Sequence, residues 1–323
     1  ERPTPEHKIA SALVPDLTVT DYDSLFRSAV HVSQQELDPA GWRFEDRRLT
    51  DLFNKIRGTG TPLNEYCGAS PYRGIVTGLN EAFVISNETR EQLLRQDKRS
   101  AEIFKPFLEG KDLKPWRYEW RGLWLIYAHH DVEIKKYPAV MDYLNTFKSR
   151  LEKRATSGNH EWYQLQQPQS NYSAAFAKPK IFYPHFSRLP KFSMDTKGFY
   201  GNDKTYCIPS EDYYLLAVLQ SLPLWYVISR ICPAMRGGFW RYELRVQYME
   251  TLPIPDPGKT EKKRLERLSQ QLGIASCPNR IDLQNEVNDL VGSLFKLSGS
   301  EQAVLTNSTR LPPSSFDNDG EDD

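Results

Sequence analysis

Short apolar runs and helical repeats alternate along this chain, and neither period holds for long. Residues 138–154 place Val140, Leu144, Phe147 and Leu151 on one face of a predicted helix, with Lys148, Arg150, Lys153 and Arg154 crowding its C-terminal end. An earlier helix is predicted at Asp46–Arg57, stopped by Gly58, with Gly60 and Pro62 beyond it. Gly74–Thr77 and Ala82–Ser86 read as two strands joined by a turn at Gly78–Asn80. A short helix follows, with Thr89 as N-cap and Gln92 as its capping-box partner. Leu123–Ala128 and Lys180–Pro184 have the character of buried strands. Residues 211–222 are apolar nearly all round, which predicts a core helix that Pro223 breaks or kinks.

The segment Leu252–Gly258 (LPIPDPG) reads as a linker to a helical end. Leu265, Leu268 and Leu272 mark one helix there; Val287, Leu290, Val291, Leu294 and Phe295 mark the next. Their apolar faces need cover, and the expectation is that they pack on a partner or on a further domain. Strands and helices alternate without regular βαβ units and without an internal repeat. The fold class is therefore α+β, mixed sheets with packed helices and a C-terminal helical segment.

Composition narrows the function classes. No apolar run approaches the roughly 18 residues of a membrane span, so no membrane partner is expected. The four cysteines, Cys67, Cys207, Cys232 and Cys277, form no CxxC pair, which fits reduced thiols in a cytoplasmic protein rather than a disulfide frame or zinc site. Net charge is zero, from 42 bases and 42 acids. The last eight residues hold five of those acids, so the preceding 315 residues carry 42 bases against 37 acids. That balance permits nucleic-acid binding without demonstrating it.

Catalytic signatures fail one by one. GxGxxG is absent, and Gly258-Lys259-Thr260 has Pro253 where a phosphate-binding loop needs glycine. His129-His130-Asp131 is the densest group of metal-ligand types, but neighbours on a strand point to opposite faces, so a polar strand end is the simpler reading. Glu133-Ile134-Lys135 has the ExK form of a nuclease half-site without an acidic partner. The Asn/Asp-Pro-Pro-aromatic tetrapeptide that grips a flipped adenine does not occur. No catalytic residue, cofactor site or metal site is assigned.

Several stretches in order resemble one family. They are PYRGIVTGLNEAFVIS (71–86), EIFKPFLEGKDLKPW (102–116), YPAVMDYLNTFKSRLEKR (137–154), WYQLQ (162–166), KPKIFYPHFS (178–187), FYGNDKTYCI (199–208), YYLLAVLQSLPLWYVI (213–228) and MRGGFWRYELRVQYMETLPIP (235–255). Together they are similar to the TaqI-like C-terminal specificity domain, the target-recognition part of adenine-specific DNA methyltransferases and type IIG restriction-modification enzymes. The resemblance implies sequence-specific binding of double-stranded DNA. It divides the chain into a remnant or linker of a preceding catalytic domain (1–45), the target-recognition domain (46–258), C-terminal helices (259–315) and an acidic tail expected to be disordered (316–323). The catalytic methyltransferase domain, with its S-adenosylmethionine, is then expected elsewhere, in the same parent protein or in a separate subunit.

The candidate DNA contacts follow from what such a domain must do. Bases and backbone amides hold phosphates, while a few side chains read base edges. In Arg236-Gly237-Gly238-Phe239-Trp240-Arg241-Tyr242-Glu243-Leu244-Arg245, glycines allow close backbone approach to a phosphate, and Trp240 is the best placed tryptophan for stacking. Arg241, Glu243 and Arg245 alternate, so on a strand they would share a face and offer donors to guanine and an acceptor to cytosine. The plain alternative is a solvated strand face with internal ion pairs. Around Gly74–Asn80, Thr77 and Asn80 with the glycines could cradle a phosphate beside Arg73, or simply form a hairpin turn. Asn202 and Lys204 sit in a third such loop, whose alternative is a polar turn. Two other functions stay open: a protein-interaction subunit that touches no DNA, and a metal-dependent hydrolase built on His129, His130 and Asp131.

Overall fold

The computed structural model describes residues 7–12, 21–27, 29–34, 47–154, 158–235 and 241–309. The centre of the chain's body is a four-stranded antiparallel sheet. Its strand order is Ser193–Asp195, Lys180–Pro184, Thr205–Ile208 and Tyr72–Arg73. All five residues of Lys180–Pro184 are buried, because both faces of this sheet are covered. The register makes the two faces explicit. Ile181 faces Ile208 and Tyr183 faces Tyr206, and these four join a helical core. Phe182 faces Cys207 between them, and this pair joins a second core on the other side.

The helical core gathers around Tyr213–Leu219 and Leu222–Ile231. Asp212 caps the first of these helices by accepting from the Tyr214 amide, and Ser221 caps the second. Pro223 therefore stands in the first turn of a new helix, where its missing N–H costs nothing, instead of breaking an old one. The pair bends by 60° and is buried; no single helix among the described residues is long and apolar enough to cross a membrane.

The terminal helices Lys259–Leu272 and Arg280–Leu294 pack into this same core through Leu265, Leu268, Leu272, Val287 and Val291. This corrects the expectation that they seek an outside partner. Each fully buried leucine or valine contributes roughly 1.5–3 kcal/mol. Polar ties fix the docking. Gln284 accepts from the Trp116 indole at 2.7 Å and donates to the Gln220 carbonyl, and Asn288 accepts from the Leu222 amide. A third helix, Gly299–Ser308, follows with a Ser298/Glu301 capping box.

The second core is built on a sheet in the order Tyr200–Gly201, Phe104–Leu108, Trp124–Ile126 and Val84–Ile85. Its first pair is parallel. Three local expectations fail here for physical reasons. The predicted hairpin does not form: Ile75 bridges to Asn202 and Val76 to Gln167, both distant in sequence, while Asn80–Phe83 is a helical turn. The cap of helix Asn87–Gln96 is Ser86, which accepts from the Thr89 amide, so Thr89 lies inside the helix it was expected to cap. The helix over 138–154 splits into Pro138–Asn145 and Lys148–Leu151, where Thr146 bonds the Tyr143 carbonyl through both its amide and its hydroxyl. Arg154 folds inward from its end and donates to the carbonyls of Leu151, Thr77 and Trp162.

In the N-terminal 45 residues, Lys8–Ser11 pairs antiparallel with Val30–Ser33. The acidic tail 316–323 lies outside the described residues.

Candidate nucleic-acid interface

The buried strand Lys180–Pro184 runs through His185 into Phe186–Ser187, which pairs antiparallel with Arg241–Glu243. The His185 backbone fastens two neighbours at once. Its amide donates to the Lys204 carbonyl at 2.8 Å, and its carbonyl accepts from the Leu244 amide at 2.7 Å. The turn 201–205 and the strand Arg241–Glu243 are thereby held on either side of one run of chain. Between them lies a cleft of about 460 Å³, lined by Asn202, Lys204 and Arg241 together with Phe186, Lys111 and Lys191.

Close backbone approach places the 201–205 turn. A side chain on Gly74 would collide with the Asn202 and Gly201 carbonyls, and one on Gly201 would collide with Thr205. Glycine at both positions lets the Tyr72–Arg73 strand lie against the turn. Arg73 is thus brought to Asp203, donating to its backbone carbonyl at 3.0 Å and pairing with its carboxylate at 3.3 Å. Lys204 reaches the same carboxylate at 3.1 Å, with its side chain 57 % exposed. Asn202 is buried, and its side-chain oxygen accepts from the Lys204 amide.

Arg241 lies over the Phe186 ring, 5.3 Å from its centroid. Its buried Nε has no hydrogen-bond partner among the described residues. Glu243 does not share this role. It is buried, lies 3.0 Å from the His185 ring without hydrogen-bond alignment, and accepts from Arg245 at 2.9 Å. The expected row of three readers on a strand face is corrected accordingly. The strand ends at Glu243, and Arg245 caps the helix Val246–Met249 with its guanidinium drawn back onto Glu243. That carboxylate raises the Arg245 pKa, while burial holds His185 below its ordinary value against the opposing pull of Glu243.

The Thr77–Asn80 loop lies apart from the cleft lining. Thr77 is buried, its hydroxyl donates to Asn80 at 2.6 Å and its carbonyl accepts from Arg154, so these two groups serve the turn. Arg236, Gly237, Gly238 and Trp240 lie outside the described residues. Of the other tryptophans, Trp116 and Trp225 are core, whereas Trp120 is exposed and edge-on to Trp124 and Phe199. His129, His130 and Asp131 do not close on one point: His130 bonds the Leu165 carbonyl and stacks on His160, while Asp131 is exposed 3.6 Å from His129. Among the described residues no group of three or more metal-ligand side chains gathers.

Sequence reasoning missed Lys111 and Lys191, which line the cleft. Lys111 stands in the quoted stretch 102–116, beside a glycine, which was a usable signal; nothing local marks Lys191.

The described body is a mixed α+β fold, shared with a solved restriction-modification enzyme. The type IIL enzyme MmeI, whose structure was determined in complex with DNA, superposes with a TM-score of 0.54. The match is 14% identical and covers 78% of this chain and 35% of that one, a likeness of fold. In sequence, residues 105–254 match the model of the TaqI-like C-terminal specificity domain. The chain is 26% identical over 242 residues to the type II methyltransferase M.BanIII of Aneurinibacillus aneurinilyticus, covering 69% of this chain and 41% of that protein. It is also 26% identical over 227 residues to the type II methyltransferase M.MjaIV of Methanocaldococcus jannaschii, covering 66% of this chain and 73% of that protein. The chain thus spans about two fifths of the first relative and nearly three quarters of the second. The stretch 71–86, quoted above for the same resemblance, precedes the matched region.

Proposed function

We propose that this chain reads a specific sequence in double-stranded DNA and positions an adenine for methyl transfer. The observation that carries the reading is the meeting of Asn202, Lys204 and Arg241 in one cleft within a specificity domain. Arg241 suits base reading, because a guanidinium can donate two bonds to guanine. Lys204 and Asn202 suit the backbone, with Arg73 behind them on Asp203. Arg245 stands at the helix start that follows, and Arg236, Gly237, Gly238 and Trp240 directly precede Arg241 in sequence. These five remain assigned to the DNA surface on that proximity. The adenine would leave the stack before reaction.

S-adenosylmethionine and the transfer chemistry are assigned to a catalytic methyltransferase domain of the parent protein or of a separate subunit. The described sheets do not fit a nucleotide cofactor of the doubly wound kind. Such cofactors lie in a crevice at the carboxyl ends of parallel strands. Here the central sheet is antiparallel, and the parallel pair Phe107–Leu108 with Tyr200–Gly201 is two residues long.

Fluorescence anisotropy of the whole chain against a pool of labelled duplexes, from 50 to 200 mM salt, tests the reading. A preferred sequence and a steep linear fall of log affinity with log salt are expected. Absence of duplex binding at low salt would assign this surface to a protein partner instead.

A further inference from the structure

We infer that Lys111 and Lys191 form, with Lys204, a phosphodiester-binding site inside the cleft, separate in role from the base reader Arg241. The inference rests on the DNA-binding reading above and names which groups hold the backbone. The three lysines come from unconnected segments: the Gly110–Asp112 turn, the chain leading into Ser193–Asp195, and the 201–205 turn. Their convergence needs close packing. A Cβ on Gly110 would stand 3.2 Å from the Lys204 carbonyl, so the two lysine-bearing turns touch through backbone.

The arrangement of acids favours an anionic ligand. Among the described residues Glu109 is the one carboxylate on the cleft wall, and Arg121 binds it at 2.5 Å while also holding Asp112. Lys111 lies farther from Glu109, at 3.5 Å, with its side chain 59 % exposed. Asp203, which pairs with Lys204, also has Arg73. The acids next to Lys111 and Lys204 are therefore shared with arginines behind them, and these two exposed lysines border the cleft. Lys191 is 8 % exposed yet lines the same space.

Lysine rather than arginine is the informative choice here. A lysine is a compact point charge that neutralises a phosphate without the planar fork that discriminates bases. A site built from three of them sets register on the duplex and carries little sequence information.

The test compares wild type with Lys111→Ala, Lys191→Ala and Lys111→Arg on the preferred duplex and on scrambled duplexes, across a salt series. Each alanine variant is expected to weaken binding by the same factor on every duplex and to lower the salt slope by about 1. Lys111→Arg is expected to keep the wild-type slope. Unchanged slopes in Lys111→Ala, or a loss confined to the preferred sequence, would overturn the assignment. Thermal melting checks folding; should Lys191→Ala unfold, the exposed Lys111 decides the matter alone. Wild type that binds no duplex at low salt removes the DNA-binding reading itself, and this inference with it. Wild type that binds specifically beside unaffected lysine variants removes only the inference.

Discussion

Lys180 and Lys191 are both buried lysines on the same stretch of chain, but only Lys191 reaches the cleft. Lys180 is fully enclosed. Its ammonium meets Asp195 at 2.5 Å and the carbonyls of Phe176 and Lys178, while Asp195 also accepts from the amides of Lys197 and Phe199. All of that charge is spent inside the molecule. Lys191 reaches a cleft where Lys111, Lys204 and Arg241 also gather and the nearby carboxylates are held from behind by Arg121 and Arg73. The contrast separates a charge enclosed by its partners from one that borders a cleft. Composition cannot make that separation, because both lysines count equally toward a net charge of zero.

The largest expected effect lies at the enclosed end. Asp195→Ala strands Lys180 without its counter-charge, and breaking a buried pair in this way costs about 3–5 kcal/mol. Urea denaturation should show the loss as a lower midpoint with little change in slope. A variant as stable as wild type would show that the pair does not hold the sheet edge, and the contrast with the cleft would collapse.

The next effect belongs to the open end and concerns specificity rather than stability. Arg241→Ala should cost about 1–3 kcal/mol of discrimination at one base pair, as expected for loss of a good bidentate contact. Selection from a randomised duplex library would reveal it as a relaxed position. Equal weakening on every sequence would move Arg241 into the phosphate-binding group with the lysines.

What was legible in the sequence follows from how far apart the interacting partners are. The Lys180–Pro184 strand and the helices marked by Leu265 and Val287 show in local periodicity, because burial on a face repeats within the element itself. Gly74–Thr77 misleads for the opposite reason: its partners are Asn202 and Gln167, so a local reading supplies a hairpin that is not there. Alternation at Arg241, Glu243 and Arg245 misleads in another way. It is compatible with a shared strand face, but the strand ends at Glu243, and that carboxylate is buried against His185 and Arg245. The family resemblance pointed to the family whose model matches residues 105–254, and three of the candidate contacts, Asn202, Lys204 and Arg241, do meet in the cleft. Lys191 carried no signal, since only the tertiary fold brings it beside Lys204.

The smallest predicted effect tests the hinge between the two regions, at His185. Burial lowers its pKa, and the nearby Lys204 and Arg73 act in the same direction while Glu243 opposes them. The unfolded chain, with an ordinary imidazole value of about 6.5, therefore binds this proton before the folded chain does. The contribution to stability is present above about pH 6.5 and is lost as pH falls from there through the lowered folded value. His185→Asn should flatten that part of the profile of urea midpoint against pH, leaving the acid-side loss from carboxylates in place. Because the His185 backbone holds both the 201–205 turn and the Arg241–Glu243 strand, its side chain should affect the cleft through geometry and not through contact with DNA. The variant is thus expected to keep the wild-type salt slope while its pH profile changes. Identical pH profiles for the two proteins would show that the ring titrates as freely in the fold as outside it, and would remove His185 from any part in coupling the buried sheet to the cleft.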